Sequence, residues 1–193
     1  MIRIATEADV PQILEIYAPY ILTTTHTFEY EVPSEEAFLE RFRSITEQFP
    51  WLVWEEDGEI LGYAYGSAPF ERAAFRWVAE DSVYLTPSAE GRGIGKALCI
   101  ALEEILKYQG YRKVYAIITS ENFRSLDFHR KLGYRDVAEF ENCGFKFGRW
   151  LGITWLDKAL KSVELPSNFP VPWRAIMQDG QKNSDILGIL SLS

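Results

Sequence analysis

Cysteine and histidine are scarce in this chain, with two of each among 193 residues. Cys99 and Cys143 lie far apart, with no CxxC pair and no histidine cluster near them. That argues against a disulfide scaffold and a thiolate zinc site. His26 and His129 alone make a poor source of imidazole ligands, so no metal is expected. Positive charge is also short: 20 Lys+Arg stand against 28 Asp+Glu, a net charge of −8. Phosphate backbones are held largely by Lys and Arg, so nucleic acid is not an expected partner. No apolar run approaches the roughly 18 residues of a membrane span. The opening MIRIATEADVPQ has no basic-then-apolar leader pattern. The expectations are a cytoplasmic location, no membrane and a small-molecule substrate, with a cationic partner as the alternative.

What is present is globular: 47% apolar, 15% aromatic and 25% charged residues, enough for one core about 16 Å in radius. Residues 2–5 alternate as a short strand, and Ile13, Ile16 and Tyr17 mark one face of a helix. Ser34 can cap a second helix carrying Phe38, Phe42 and Ile45. Asp57-Gly58 separates two strands, 51–54 and 60–67, as a hairpin turn. Residues 77–85 read as a further strand. Leu98, Leu102, Ile105 and Leu106 then recur at helical spacing up to Gly110. A β-branched strand over 114–118, a helix over 122–132 and two closing strands, 134–140 and 145–157, complete an α+β (mixed α/β) domain over residues 1–161. In the extension, 162–193, Pro166, Pro170 and Pro172 interrupt regular structure and QDGQKNSD is polar. Trp173 and the apolar run 186–192 leave two outcomes open: a flexible tail, or one docked on this subunit or a neighbour.

The chemistry begins at Glu90-Gly91-Arg92-Gly93-Ile94-Gly95-Lys96, between a strand and a helix. Glycines let a backbone turn tightly and approach an anion, and the helix start offers free N–H groups and a positive dipole end. Arg92 and Lys96 add charge to this diphosphate cradle. A P-loop requires Gly at 90 and Ser or Thr at 97, where this chain has Glu90 and Ala97. A dinucleotide fingerprint from Gly91 requires Gly at 96, where it has Lys96. Farther on, Asn122, Ser125 and His129 fall at helical spacing on one stripe.

The glycine run resembles the acyl-CoA diphosphate loop of the GCN5-related N-acetyltransferase (GNAT) superfamily, Gln/Arg-x-x-Gly-x-Gly/Ala, with Glu90 departing at the first position. Asn122-x-x-Ser125-x-x-x-His129-x-x-Leu132-Gly133 resembles the segment that follows in that superfamily. Trp77-x-x-Glu80-x-Ser82-Val83-Tyr84-Leu85 and Gly144-x-Lys146-x-Gly148-x-Trp150 resemble its phosphinothricin/methionine-sulfoximine branch, as do Ile2-Arg3-x-Ala5-x-x-x-Asp9 and Thr27-Phe28-Glu29. The resemblance implies a GNAT fold, a twisted, mostly antiparallel mixed sheet flanked by helices, with acetyl-CoA as co-substrate. It implies that Gly91, Arg92, Gly93, Ile94, Gly95 and Lys96 hold the diphosphate, and that Val83, Tyr84, Leu85, Asn122 and Ser125 meet the pantetheine arm. It also implies a homodimer.

Acetyl transfer needs an amine stripped of its proton, a polarised thioester and a proton for the departing sulfur. Glu80 is the family-matched base, with Asp81 on the opposite strand face. His129 stands where much of the superfamily has a Tyr that protonates the thiolate, although the amine proton is an equally compatible task. Cys99 falls on the helix's inner face and reads as core, so direct transfer is expected over an acyl-cysteine route. Arg76, with Arg72 nearby, can clamp a carboxylate between Phe28 and Trp77 as aromatic walls. The expected reaction is acetylation of the α-amine of a small amino-acid-like substrate. A protein or peptide amine and a non-catalytic acyl-CoA-binding module are the alternatives.

Overall fold

The computed structural model describes residues 1–162 and 168–191. Its strands are β1 (Ile2–Ile4), β2 (Trp51–Glu56), β3 (Glu59–Ser67), β4 (Val78–Leu85), β5 (Lys113–Thr119), β6 (Arg135–Lys146) and β7 (Arg149–Ala159). They form one sheet in the order β1-β2-β3-β4-β5-β7-β6. Every neighbouring pair is antiparallel except β4 and β5, which run parallel. The helices are α1 (Val10–Thr23), α2 (Glu35–Thr46), α3 (Ile94–Gln109), α4 (Phe123–Lys131), α5 (Trp173–Gln178) and α6 (Gly180–Ser191). The mixed, mostly antiparallel sheet matches the sequence expectation. β6 is longer than expected, running through bulges between Asp136 and Ala138 and between Phe140 and Gly144.

Local chemistry sets the boundaries. Ser34 accepts from the Ala37 amide to start α2. Asp57 and Gly58, both with positive φ, make the β2–β3 hairpin. Gly110, in the left-handed region, ends α3. The sheet is buried on both faces around β2 and β3, while β6 at its edge is largely exposed. In β2, Leu52 packs with α3, while Trp51 and Val53 point the other way into a layer with Phe38 and Phe42 of α2 and Ile13 and Tyr17 of α1. Among the described residues, no helix is long and apolar enough to cross a membrane.

The extension docks on this chain's own core. Trp173, Ile176, Ile186 and Leu190 join the apolar cluster on the α3 side of the sheet. The Gln109 side chain donates to the carbonyls of Gln48 and Val171, tying α3 to the incoming segment. The polar run QDGQKNSD begins α6: the Asp179 carboxylate accepts from the amides of Gln181 and Lys182. The division at residue 161 therefore separates no second packing unit within 168–191. Pro166 and Leu192 lie outside the described residues.

Docking on this scale contributes to stability. Trp173→Ala is expected to cost about 3–5 kcal/mol, as truncation of a buried Trp does. Chemical denaturation checks this, and an unchanged midpoint and slope would show the extension contributes little.

Candidate active site

The site starts where two strands part. β4 and β5 pair only from Val78–Lys113 to Glu80–Tyr115. Beyond that, β4 stays with β3 as far as Leu85–Gly62, and β5 stays with β7 as far as Thr119–Ile153. The two halves of the sheet diverge and leave an edge of β4 without a strand partner. A cleft of about 410 Å³ fills the opening, lined by residues 81–85 of β4, 116–118 of β5, the glycine loop and α4. Val83 and Leu85 lean toward the α3 core, whereas Tyr84 packs edge-on against Tyr17 and Tyr20 of α1. Because Ser82 and Tyr84 line the cleft too, it is reached from both faces of the strand.

At one end of the cleft the glycine loop turns into α3. Gly91 and Gly93 hold φ of 73° and 82°, a conformation that only glycine adopts cheaply, and Gly93 is the N-cap of the helix. The first-turn amides beyond it have no intrahelical acceptor. Gly91, Gly93, Ile94, Gly95 and Lys96 line the cleft. A Cβ on Gly95 would come within 3.2 Å of a Leu85 methyl, so glycine keeps this wall close to β4. Arg92 departs from the expectation. Its guanidinium donates to both carboxylate oxygens of Glu56, at 2.8 and 2.7 Å, and does not line the cleft. Glu90 pairs instead with Arg124 of α4 at 2.5 Å, and both residues do line it.

Asn122, Ser125 and His129 all face the cleft. Asn122 is the N-cap of α4, its side chain accepting from the Ser125 amide. His129 is buried, 3% exposed, and does not lie on a solvated helix face. Its Nδ1 lies 2.8 Å from the Ser125 carbonyl oxygen, and its Nε2 lies 3.3 Å from an oxygen of Asp81, itself buried. Burial works to lower the His129 pKa, but the Asp81 carboxylate and the Ser125 carbonyl outweigh it and the net shift is upward.

Glu80 shares its face of β4 with Ser82 and Tyr84, and Ser82 stands opposite Tyr65 of β3. Burial, then the charge of Asp81, pushes the Glu80 carboxyl up to about 7. Asp81, Glu80's neighbour in sequence, points the other way, against α3 and α4. Cys99 faces Asp81 and His129 from α3, and the ligand-capable atoms of the three lie within 4.8 Å of one another. Burial drives the Cys99 thiol well above its usual range. A protonated thiol is a poor metal ligand, so this cluster suits protons better than a cation.

The expected substrate residues lie elsewhere. Trp77 stacks on Phe169 at 5.0 Å, and its indole donates to the Asn168 carbonyl. The Arg76 guanidinium sits 5.3 Å over the same Phe169 ring. Both hold the C-terminal segment. Phe28 packs on Gly144 of β6, so closely that any Cβ there would overlap its ring. None of the three lines the cleft. Asp81 and Arg124 were not singled out by motif reasoning. Strand alternation shows which face Asp81 takes, but its partner appears only when α4 docks.

Comparison with known proteins agrees with this geometry. A family model described as an acetyltransferase (GNAT) domain matches residues 2–155. Phosphinothricin N-acetyltransferase from Alcaligenes faecalis is 34% identical over 163 residues, 83% of each chain. L-methionine sulfoximine/L-methionine sulfone acetyltransferase from Pseudomonas aeruginosa is 38% identical over 161 residues, 81% of this chain and 92% of its own. The crystal structure of a GNAT superfamily phosphinothricin acetyltransferase from Sinorhizobium meliloti, in complex with acetyl-CoA, superposes with a TM-score of 0.85 at 37% identity, covering 90% of this chain and 96% of that one. With the parted strands, the glycine-capped helix and these relatives in agreement, the chain belongs to the GNAT acetyltransferase family.

Proposed function

We propose that this protein transfers an acetyl group from acetyl-CoA to the α-amine of a small amino-acid-like substrate, of the phosphinothricin or methionine sulfoximine/sulfone type, directly within a ternary complex. The observation that carries the reading is the parting of β4 from β5 beyond Glu80, with free helix amides at one end of the opening, Asp81 and His129 lining it, and Glu80 at the fork itself, outside the lining. The residues present fit acetyl-CoA. The open amides after Gly93 suit a diphosphate, and the edge of β4 at Val83 and Tyr84, which no second strand covers, suits the amide groups of a pantetheine arm, with Leu85 at its end met by the Tyr20 hydroxyl. When bound, acetyl-CoA supplies a thioester whose C–S bond breaks as the C–N bond to the amine forms. Glu80 takes the amine proton, directly or through water, and His129 gives a proton to the sulfur. With a pKa near 7, Glu80 is close to the value that serves a general base at neutral pH. Cys99, buried and held protonated, is unsuited to an acyl-enzyme. Amine recognition falls to the face around Glu80, Ser82 and the tyrosines 65 and 84.

The activities for which the relatives are named support the substrate class. The sheet edge carries exposed Phe140, Phe145 and Trp150, the surface we assign to a homodimer; light scattering in solution tests that state. A reducing, cytoplasmic location fits the two free cysteines.

An acetyl-CoA-dependent thiol-release assay over phosphinothricin, methionine sulfoximine, methionine sulfone and a Lys-rich peptide tests the function. Turnover of the peptide alone would overturn the substrate class, and no turnover of any amine would overturn the activity. Glu80→Gln is expected to lower kcat by about 10²–10⁴-fold with acetyl-CoA affinity unchanged. The sign of the pH dependence follows from a raised carboxyl: Glu80 is protonated and idle below its pKa, so wild-type activity should climb as pH rises through about 7. That limb should be missing in Glu80→Gln. Glu90→Gln frees Arg124 and removes a like charge from the cradle. It should tighten acetyl-CoA several-fold at low salt, read by calorimetric titration.

A further inference from the structure

We propose that Asp81 is a positioning residue of this site: its buried carboxylate fixes the His129 ring and holds it as an imidazolium, so the acid enters each turnover already charged. The inference rests on the reading of His129 as the group that protonates sulfur, and deepens it.

Hydrogen-bond chemistry assigns the protons. The Ser125 carbonyl oxygen, 2.8 Å from Nδ1, can only accept, so Nδ1 carries a proton. Nε2 faces a carboxylate oxygen of Asp81 at 3.3 Å, a charge contact that is attractive with a proton on Nε2 and repulsive with a bare lone pair there, so Nε2 carries the second. A ring protonated at both nitrogens is an imidazolium. The burial of Asp81 demands it equally. Its side chain is 1% exposed, and among the described residues neither of its oxygens has a hydrogen-bond partner. A carboxylate so placed is costly unless a positive charge meets it.

The surrounding groups leave His129 as that charge. From α3, Glu103 and the Cys99 thiol face the pair, and Glu103 is met by Lys158 of β7 at 2.5 Å. Tyr134, just past α4, packs edge-on against the ring at 5.1 Å, its hydroxyl buried and held protonated. From α4 itself come the Ser125 hydroxyl, 3.4 Å from Nδ1, and the Phe128 ring. With Lys158 committed to Glu103, the imidazolium is the counter-charge that Asp81 has among the described residues.

The proton balance closes. Nε2 gives its proton to the departing thiolate, forming the S–H bond. The ring is left neutral, with Nδ1–H still on the Ser125 carbonyl. A bare Nε2 then faces the Asp81 carboxylate, lone pair against anion, so the ring regains a proton from solvent before the next turnover.

The test is ¹⁵N NMR of histidine-labelled full-length protein, with Asp81→Asn beside the wild type. The chain has two histidines, His26 and His129, so two rings report. In the wild type, His129 should remain an imidazolium at pH 7.5, while His26, which burial pushes down, is neutral. In Asp81→Asn, His129 should be neutral at pH 7.5 with its proton on Nδ1. The alkaline limb of the kcat profile should fall by at least one pH unit. The acidic limb should also drop, by less, because the Asp81 charge helps hold Glu80 up. A wild-type His129 that is neutral at pH 7.5 overturns the proposal, and needs no variant to fold. So does an Asp81→Asn protein whose ring titration is unchanged, or whose kcat falls by one factor at every pH. The ring titration is read on the free protein, so it stands or falls apart from whether any amine is acetylated.

Discussion

Two parallel strands pair for three residues and then separate, and the site depends on what holds them apart. Strand backbone left without a partner is costly when buried. Here the cost is contained because each strand is anchored on its far side. β5 is laddered to β7 along its whole length, and β4 is laddered to β3 to its last residue. Tyr20 of α1 covers the end of the parting, its hydroxyl meeting both the amide and the carbonyl of Leu85. The fold therefore presents unpaired strand edge beside an uncapped helix start, and polar linear ligands suit that combination.

Adjacent residues on β4 do different electrostatic work because a strand sends them to opposite faces. Glu80 is largely enclosed, no cation is set against it among the described residues, and its carboxyl rises toward neutrality. Asp81 is buried with an imidazole, and the imidazole rises instead. One charge acts on both: Asp81 adds to the burial that raises Glu80, and it raises His129 against the burial of the ring. One turn of strand thus yields a group ready to accept a proton and a group ready to donate one.

Much of this was legible in sequence wherever the cause is local. The order of elements follows from periodicity, and Ser34, Asp57-Gly58 and Gly110 act through their own backbone. The glycine loop follows from what glycine permits, and the Glu80/Asp81 division from strand alternation. The side chains whose partners were not legible share one physical origin, partners distant in sequence. Arg76 and Trp77 look like a substrate clamp only while Phe169 is out of view. Arg92 looks free until the hairpin brings Glu56 beside it. QDGQKNSD shows no helix in its composition because a capping aspartate and a polar first turn resemble a loop. The burial of His129 is not legible either, since its partner Asp81 comes from another element.

The C-terminal segment then acquires a structural purpose. Trp77 immediately precedes β4, and its carbonyl accepts from the Arg112 amide, just ahead of β5. That bond extends the paired end of the two parallel strands. The segment docks there, Phe169 lying between the Trp77 indole and the Arg76 guanidinium, with the Arg112 guanidinium donating to the Ser162 carbonyl on the same side. The extension is thus packed over the closed end of the fork, and the glycine loop over the open end. A fork whose tines diverge needs its handle held, and in this chain residues beyond the family-matched domain help to hold it.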